Sequence, residues 1–108
     1  MVNQRTVKVI VSKYLRGIRG QVPIDQAFLV GSWADGKASK DSDVDVLLVS
    51  KRFAKMDPDE RLRILYKNTV GFDLDLHLHA VTEKELKSAS ELTSLGAMKR
   101  GIKISLQP

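Results

Sequence analysis

Residues 43–49 read Asp-Val-Asp-Val-Leu-Leu-Val, two carboxylates running straight into an unbroken apolar segment. The β-branched content makes the stretch from Val44 to Val49 a strand. Side chains alternate along a strand, so Asp43 and Asp45 project from the same face, with their carbons ~6.5–7 Å apart. Two acids this close repel each other unless one stays protonated or a cation lies between them. The spacing suits one hard cation held by both carboxylates, or two cations bridged by them.

The rest of the chain supplies the elements such a strand needs around it. Val7, Ile10, Val11, Tyr14, Leu15 and Ile18 recur at helical spacing, with Lys8, Lys13, Arg16 and Arg19 on other faces, and predict an amphipathic helix over 4–19. Ala27, Phe28, Leu29 and Val30 form a short apolar run that stops at Gly31, as a buried strand does. Asp57-Pro58-Asp59-Glu60 is a helix start, with Asp at the N-cap and Pro at the first helical position, and predicts a helix through Leu62, Leu65, Tyr66 and about Asn68. From Phe72 to Val81 the chain alternates, with Phe72, Leu74, Leu76 and Leu78 on one face and Asp73, Asp75, His77 and His79 on the other. Thr82-Glu83-Lys84-Glu85 is a capping box that predicts one last helix through about Met98, ended by Gly101. Ile102, Ile104 and Leu106 alternate as a short terminal strand. The expected fold is a single α/β (α+β) domain over 1–108, a small mixed sheet of three to four strands with helices packed on it.

Charge is unevenly placed. Residues 1–40 carry seven Lys/Arg against two Asp/Glu, while residues 41–80 carry six against eight. A basic frame around an acidic centre suggests a divalent metal on the carboxylates and a phosphate ligand drawn to the cations. The chain has no cysteine, which excludes disulfides and thiolate-bound zinc and fits a reducing cytoplasm. No apolar run reaches the roughly 18–20 residues of a membrane span, and the N-terminal segment lacks the apolar stretch of a signal peptide.

The Gly31-Ser32 turn stands where the first strand ends. Glycine lets the backbone approach a ligand closely, and serine brings a hydroxyl and an amide. A helical turn over 32–38 would aim free N–H groups at an anion there. Asp73 and Asp75 repeat the Asp43–Asp45 spacing on the third strand. If the second and third strands are neighbours, three or four carboxylates converge, which fits a magnesium site completed by water and phosphate. Alternation also puts Asp75, His77 and His79 on one face as a mixed carboxylate–imidazole set, although histidines on a solvated strand face are ordinarily surface residues. Each piece alone is common. The order of strand, Gly-Ser, ten residues, D-x-D and apolar strand, followed by a third strand bearing Asp, is not.

That pattern resembles the signature of the DNA polymerase β-like nucleotidyltransferase superfamily, and its compactness resembles the minimal nucleotidyltransferase branch. The usual form is near G-S-x-A-R-G-x(5)-S-D-x-D-L-L-V, to which Gly31, Ser32, Ala34, Gly36, Ser42, Asp43, Asp45, Leu47, Leu48 and Val49 correspond. The arginine of G-S-x-A-R-G is Asp35 here, with Lys37 or Lys40 as candidate substitutes. The resemblance implies two Mg²⁺ ions on Asp43 and Asp45, one also touching a third carboxylate. Asp75 is the first choice for that third carboxylate, with Asp73 as rival. Gly31, Ser32, Lys37 and Ser42 would hold ATP or another nucleoside triphosphate.

The implied reaction is transfer of a nucleoside monophosphate, most simply AMP, to a hydroxyl. Larger members hold the acceptor on a second domain, for which these residues leave no room. The acceptor is therefore expected on another chain, as in pairs where the small transferase is an antitoxin that modifies a HEPN ribonuclease toxin. Two other readings stand beside it: a non-catalytic module of the same fold that masks a partner, which Asp35 favours, and a nucleic-acid-binding domain. The last is weakened by dispersed aromatics that offer no stacking platform. No membrane partner is expected, and self-association stays open.

Overall fold

The computed structural model describes residues 3–38, 43–71, 75–90 and 93–106. Helix α1 spans Gln4–Ile18, capped by the Asn3 side chain, which accepts from the Thr6 amide. Strand β1 is Gln26–Val30, the single-turn helix α2 Ser32–Asp35, and strand β2 Val44–Val49. A 3₁₀ turn over Lys51–Lys55 leads to α3, Pro58–Lys67, and strand β3 is Leu76–Val81. Helices α4, Glu83–Ser88, and α5, Ser94–Ala97, precede a 3₁₀ turn and the two-residue strand β4, Ile102–Lys103.

The sheet order is β3-β2-β1-β4. Strand β1 runs antiparallel to both neighbours, while β2 and β3 are parallel, with Val44 opposite Leu76 and Asp45 opposite His77. The fold is thus α+β on a mixed four-stranded sheet, as the alternation of patterns implied.

Alternation sorts the sheet into two faces. Ala27, Leu29, Val44, Val46, Leu48, Leu76 and Leu78 meet Val7, Val11, Tyr14, Leu15 and Ile18 of α1 in the main core. Each Val, Leu or Ile side chain among them contributes about 1.5–3 kcal/mol by leaving water, so α1 is held by packing rather than by its mixed local propensities. Tyr14 donates its hydroxyl to the Leu65 carbonyl at 2.7 Å, tying α1 to α3. The other face carries a smaller cluster of Val30, Leu47, Val49 and Val81, with Leu86, Leu95 and Met98 packed on it. Because β2 is apolar on both faces, only its first residues are left to carry charge.

Two expectations need adjusting. The single last helix is broken: α4 stops at Ser88, Ala89 is extended (φ −71°, ψ 132°), and α5 starts afresh at Thr93. Hydroxyl side chains compete with the helix ladder for backbone groups, and Thr93 does so twice. Its Oγ1 donates to the Ser90 carbonyl and accepts from the Gly96 amide. The terminal strand is shorter than the alternation suggested, although Ile104 is buried and its amide still bonds to the Ala27 carbonyl. Strand β3 is described from Leu76, and the expected beginning at residues 72–74 lies outside the described residues.

Gly101 does follow a helical turn, yet its φ of −67° is ordinary. Its requirement is room. A Cβ there would stand 2.6 Å from Val30 Cγ1 and 2.8 Å from the Leu29 carbonyl.

Candidate active site

The parallel register of β2 and β3 decides which polar side chains meet. Asp45 and His77 are register partners, and His79 lies two residues further along the same face of β3. Asp45 Oδ1 is 3.0 Å from His77 Nδ1 and 3.3 Å from His79 Nε2. The two rings are 4.8 Å apart, centre to centre. Side-chain exposure is 24% for Asp45, 25% for His79 and 60% for His77, so the cluster has a closed floor and an open outer side. Among the described residues, this is the group of His and acidic side chains close enough to share one metal ion, their donor atoms all within 4.8 Å of one another.

The second carboxylate oxygen of Asp45 faces the end of β1. Val30 is opposite Asp45 in the antiparallel ladder, and Gly31 follows it with φ 72° and ψ −151°. That backbone region is open essentially to glycine alone. A Cβ at Gly31 would lie 2.6 Å from Asp45 Oδ2. Strain and space therefore demand the same residue, and Gly31 and Asp45, fourteen positions apart in sequence, are in contact.

The remaining candidates are distributed around this contact. Asp43 is exposed, one residue before β2. Asp75 is exposed, one residue before β3, and its carbonyl accepts from the Val44 amide at 2.9 Å. Both acids thus stand at the mouths of adjacent parallel strands. Ser32 opens α2 and is half-buried. The helical turn foreseen after it does form, but the Ala34 and Asp35 amides are already bonded to the Gly31 carbonyl, so those two donors are not aimed at a ligand. Lys37 is exposed just past the Gly36 cap, and Asp35 is exposed at the end of α2. Ser42, Lys40 and Asp73 lie outside the described residues.

Alternation along the strand groups His77 and His79 with Asp75 on a face where histidines are ordinarily surface residues. Their contact with Asp45 was missed. Period-two alternation gave the correct face, but the identity of the acid opposite them depends on inter-strand register.

The pattern that defines the nucleotidyltransferase domain family matches residues 11–104. No curated protein matches the chain. Among solved structures, a Sulfolobus solfataricus protein assigned as a nucleotidyltransferase is 19% identical, with a TM-score of 0.67, and the match covers 81% of this chain and 77% of that one. A toxin–antitoxin structure with AMP-PNP is 21% identical over 93% of this chain and 73% of that one, with a TM-score of 0.60. BolA1 from Arabidopsis thaliana is 19% identical over 70% of this chain and 94% of its own, with a TM-score of 0.53. At such identities the likeness is one of fold. The last neighbour bears a name of a different kind, so the layout by itself identifies no chemistry.

Proposed function

The chain belongs to the nucleotidyltransferase domain family and is a transferase, and from that premise we propose that it moves a nucleoside monophosphate, AMP from ATP, onto a hydroxyl of a partner protein. The observation that carries the reading is the seat of Asp45, pressed against a glycine that nothing larger can replace, at the point where β1 turns into α2. The family's fixed elements, the Gly-Ser turn and the second acid of D-x-D, meet there.

The donors suit a divalent cation. Asp43 immediately precedes β2 and Asp45 is its second residue, positions that strand alternation sets on one face, and Asp75 stands at the mouth of the neighbouring strand. These side chains would hold two divalent ions, Mg²⁺ in the family pattern, which supply charge neutralisation on the phosphates and acidify the attacking hydroxyl. Gly31 and Ser32 would bound the outer phosphates, with Lys37 and Ser42 as further nucleotide contacts.

The acceptor oxygen attacks the α-phosphorus in line. An O–P bond forms as the bond to pyrophosphate breaks, and the hydroxyl proton passes to a carboxylate, Asp75 being the candidate. The protein's contribution is placement and fixed charge. A partner protein as acceptor is supported by the toxin–antitoxin neighbour, and an adenine nucleotide by the AMP-PNP of the same structure. A HEPN-type toxin is the partner that the family resemblance suggests, with this chain as its antitoxin.

Asp35 favours a second reading, a masking module without catalysis, because it sets an exposed acid where the family pattern has a cation. One experiment separates the two. Purified protein is incubated with a divalent metal, each α-labelled nucleotide in turn, and lysate of the source organism, with the Asp43→Asn, Asp45→Asn double variant as control. Label entering one protein band from one nucleotide, and lost in the variant, supports transfer. Partner binding without label, unchanged in the variant, supports masking.

A further inference from the structure

We propose that Asp45, His77 and His79 form a binding site for a divalent transition ion of the Zn²⁺ or Co²⁺ kind, so that the third strand contributes imidazoles to the metal centre. The proposal rests on the reading that Asp45 is a metal ligand, but not on nucleotide transfer. Its basis is the approach of two imidazole nitrogens to one carboxylate oxygen, in a set whose donors all lie within 4.8 Å of one another. Bonds of about 2.0–2.2 Å from one ion to imidazole nitrogen and carboxylate oxygen set neighbouring donors roughly 3.0–3.4 Å apart. The observed separations from Asp45 Oδ1 are 3.0 Å to His77 Nδ1 and 3.3 Å to His79 Nε2.

A hard ion prefers an all-oxygen shell, whereas imidazole suits Zn²⁺, Co²⁺ and their neighbours. Two nitrogens and one carboxylate oxygen are also the ligand set of open catalytic sites, where the remaining positions go to water or substrate. Openness is provided here by His77, which is 60% exposed. Rigidity comes from the register, since both histidines sit on a strand whose Leu76 and Leu78 are locked in the main core. Asp45 would then serve two directions, Oδ1 toward the imidazoles and Oδ2 toward Gly31.

The test is equilibrium titration of the purified chain with Co²⁺, followed by its visible absorption, with Zn²⁺ and Mg²⁺ as competitors. Tighter binding of Zn²⁺ than Mg²⁺ is expected of almost any site with a nitrogen ligand, so dependence on the histidines is the decisive readout. His77→Asn and His79→Asn should each weaken Co²⁺ binding more than the roughly 10- to 100-fold that loss of a group supporting a metal ligand costs. The double variant should abolish the Co²⁺ band while keeping the far-UV circular dichroism and melting temperature of the parent. In the unmutated chain, Co²⁺ should broaden both imidazole proton signals first.

A Co²⁺ band that survives in the folded double variant, or imidazole signals untouched by the ion, would overturn the proposal and leave the histidines as hydrogen-bonding partners of Asp45. Asp43→Asn keeps the two questions apart. It should abolish nucleotide transfer and retain the histidine-bound Co²⁺, whereas a chain that binds Co²⁺ through the histidines but labels nothing would refute the transfer reading alone.

Discussion

Two charged clusters stand at opposite ends of the parallel β2–β3 pair, and they differ in whether their polar groups satisfy one another. Beyond the end of β3, Arg61 Nη1 and Nη2 donate to the two Glu85 oxygens at 2.7 and 3.2 Å, and further guanidinium N–H groups donate to the Ala80 and Met56 carbonyls. Glu85 Oε1 also accepts from the Thr82 amide, and Thr82 Oγ1 accepts from the Glu85 amide. The guanidinium lies 5.8 Å above the Phe53 ring. This cluster is closed. At the start of β2, Asp45 meets two imidazoles and a bare glycine backbone, with acids on both flanking strand mouths. That cluster has donors to spare for a ligand. Charge density alone does not distinguish a site from a brace, but the balance of donors and acceptors does.

Breaking each cluster should therefore be felt in a different quantity. Asp45→Asn should lower nucleotide transfer by about 10³-fold, equivalent to about 4 kcal/mol of barrier, while thermal melting moves by no more than a few degrees. Labelled-nucleotide transfer and a melt on the same sample check both halves.

Glu85→Ala should do the reverse. It leaves the buried Arg61 without its anion, and breaking a buried pair costs about 3–5 kcal/mol. Glu85 is 45% exposed, so the cost falls to about 2–3 kcal/mol after allowance for solvent screening. Urea unfolding measures it, and transfer per folded molecule should be unchanged.

Gly31→Ala sharpens the comparison because it should fail on both counts. Forcing a side chain into that backbone region costs about 1–3 kcal/mol, and the new methyl displaces the Asp45 carboxylate. A variant that loses stability but keeps full transfer would show that the contact is not part of the active geometry.

The closed cluster also carries a pH signature. Hydrogen bonds from Arg61, then from the Thr82 amide, hold the Glu85 carboxyl below its ordinary value of 4.5. Since the folded form binds the proton less readily than the unfolded one, this stabilisation is complete above 4.5 and is lost as pH falls through the lowered value. Urea midpoints measured between pH 6 and 3 should fall less steeply in Glu85→Gln than in the parent. The smallest effect expected is that of Thr82→Ala, about 1 kcal/mol for loss of a helix cap, read from the same urea curves.

What the sequence disclosed follows from the range of the physics involved. Helices α1 and α3 were legible because period and caps are local, and the Asp57 side chain does accept from the Glu60 amide as its position implied. The contact of Gly31 with Asp45 was not legible, since spacing alone does not say which strand neighbours which. Arg61 was invisible as a buried residue. The helical pattern pointed to Leu62, which is half-buried, whereas Arg61 lies one turn before Leu65 on the inward face. The break after α4 falls among Ser88, Ser90 and Thr93, and a capping box marks where a helix starts but not where it stops. The shared face of the histidines was legible, but their contact with Asp45 was not, because register across a parallel pair is fixed by everything between the strands.

That register bears on how the site comes into being. Asp45 and His77 are 32 positions apart, and a parallel pair forms only after the whole crossover through α3 has been closed. The meeting of Asp45 with the two imidazoles is thus among the later things the chain acquires, after the local helices and the β1–β2 pairing. A slip of one residue between β2 and β3 would turn both imidazoles to the opposite face of the sheet. Recovery of the histidine–aspartate contact during refolding would therefore time the completion of the fold itself, and a chain trapped one step out of register would keep its helices while holding no site at all.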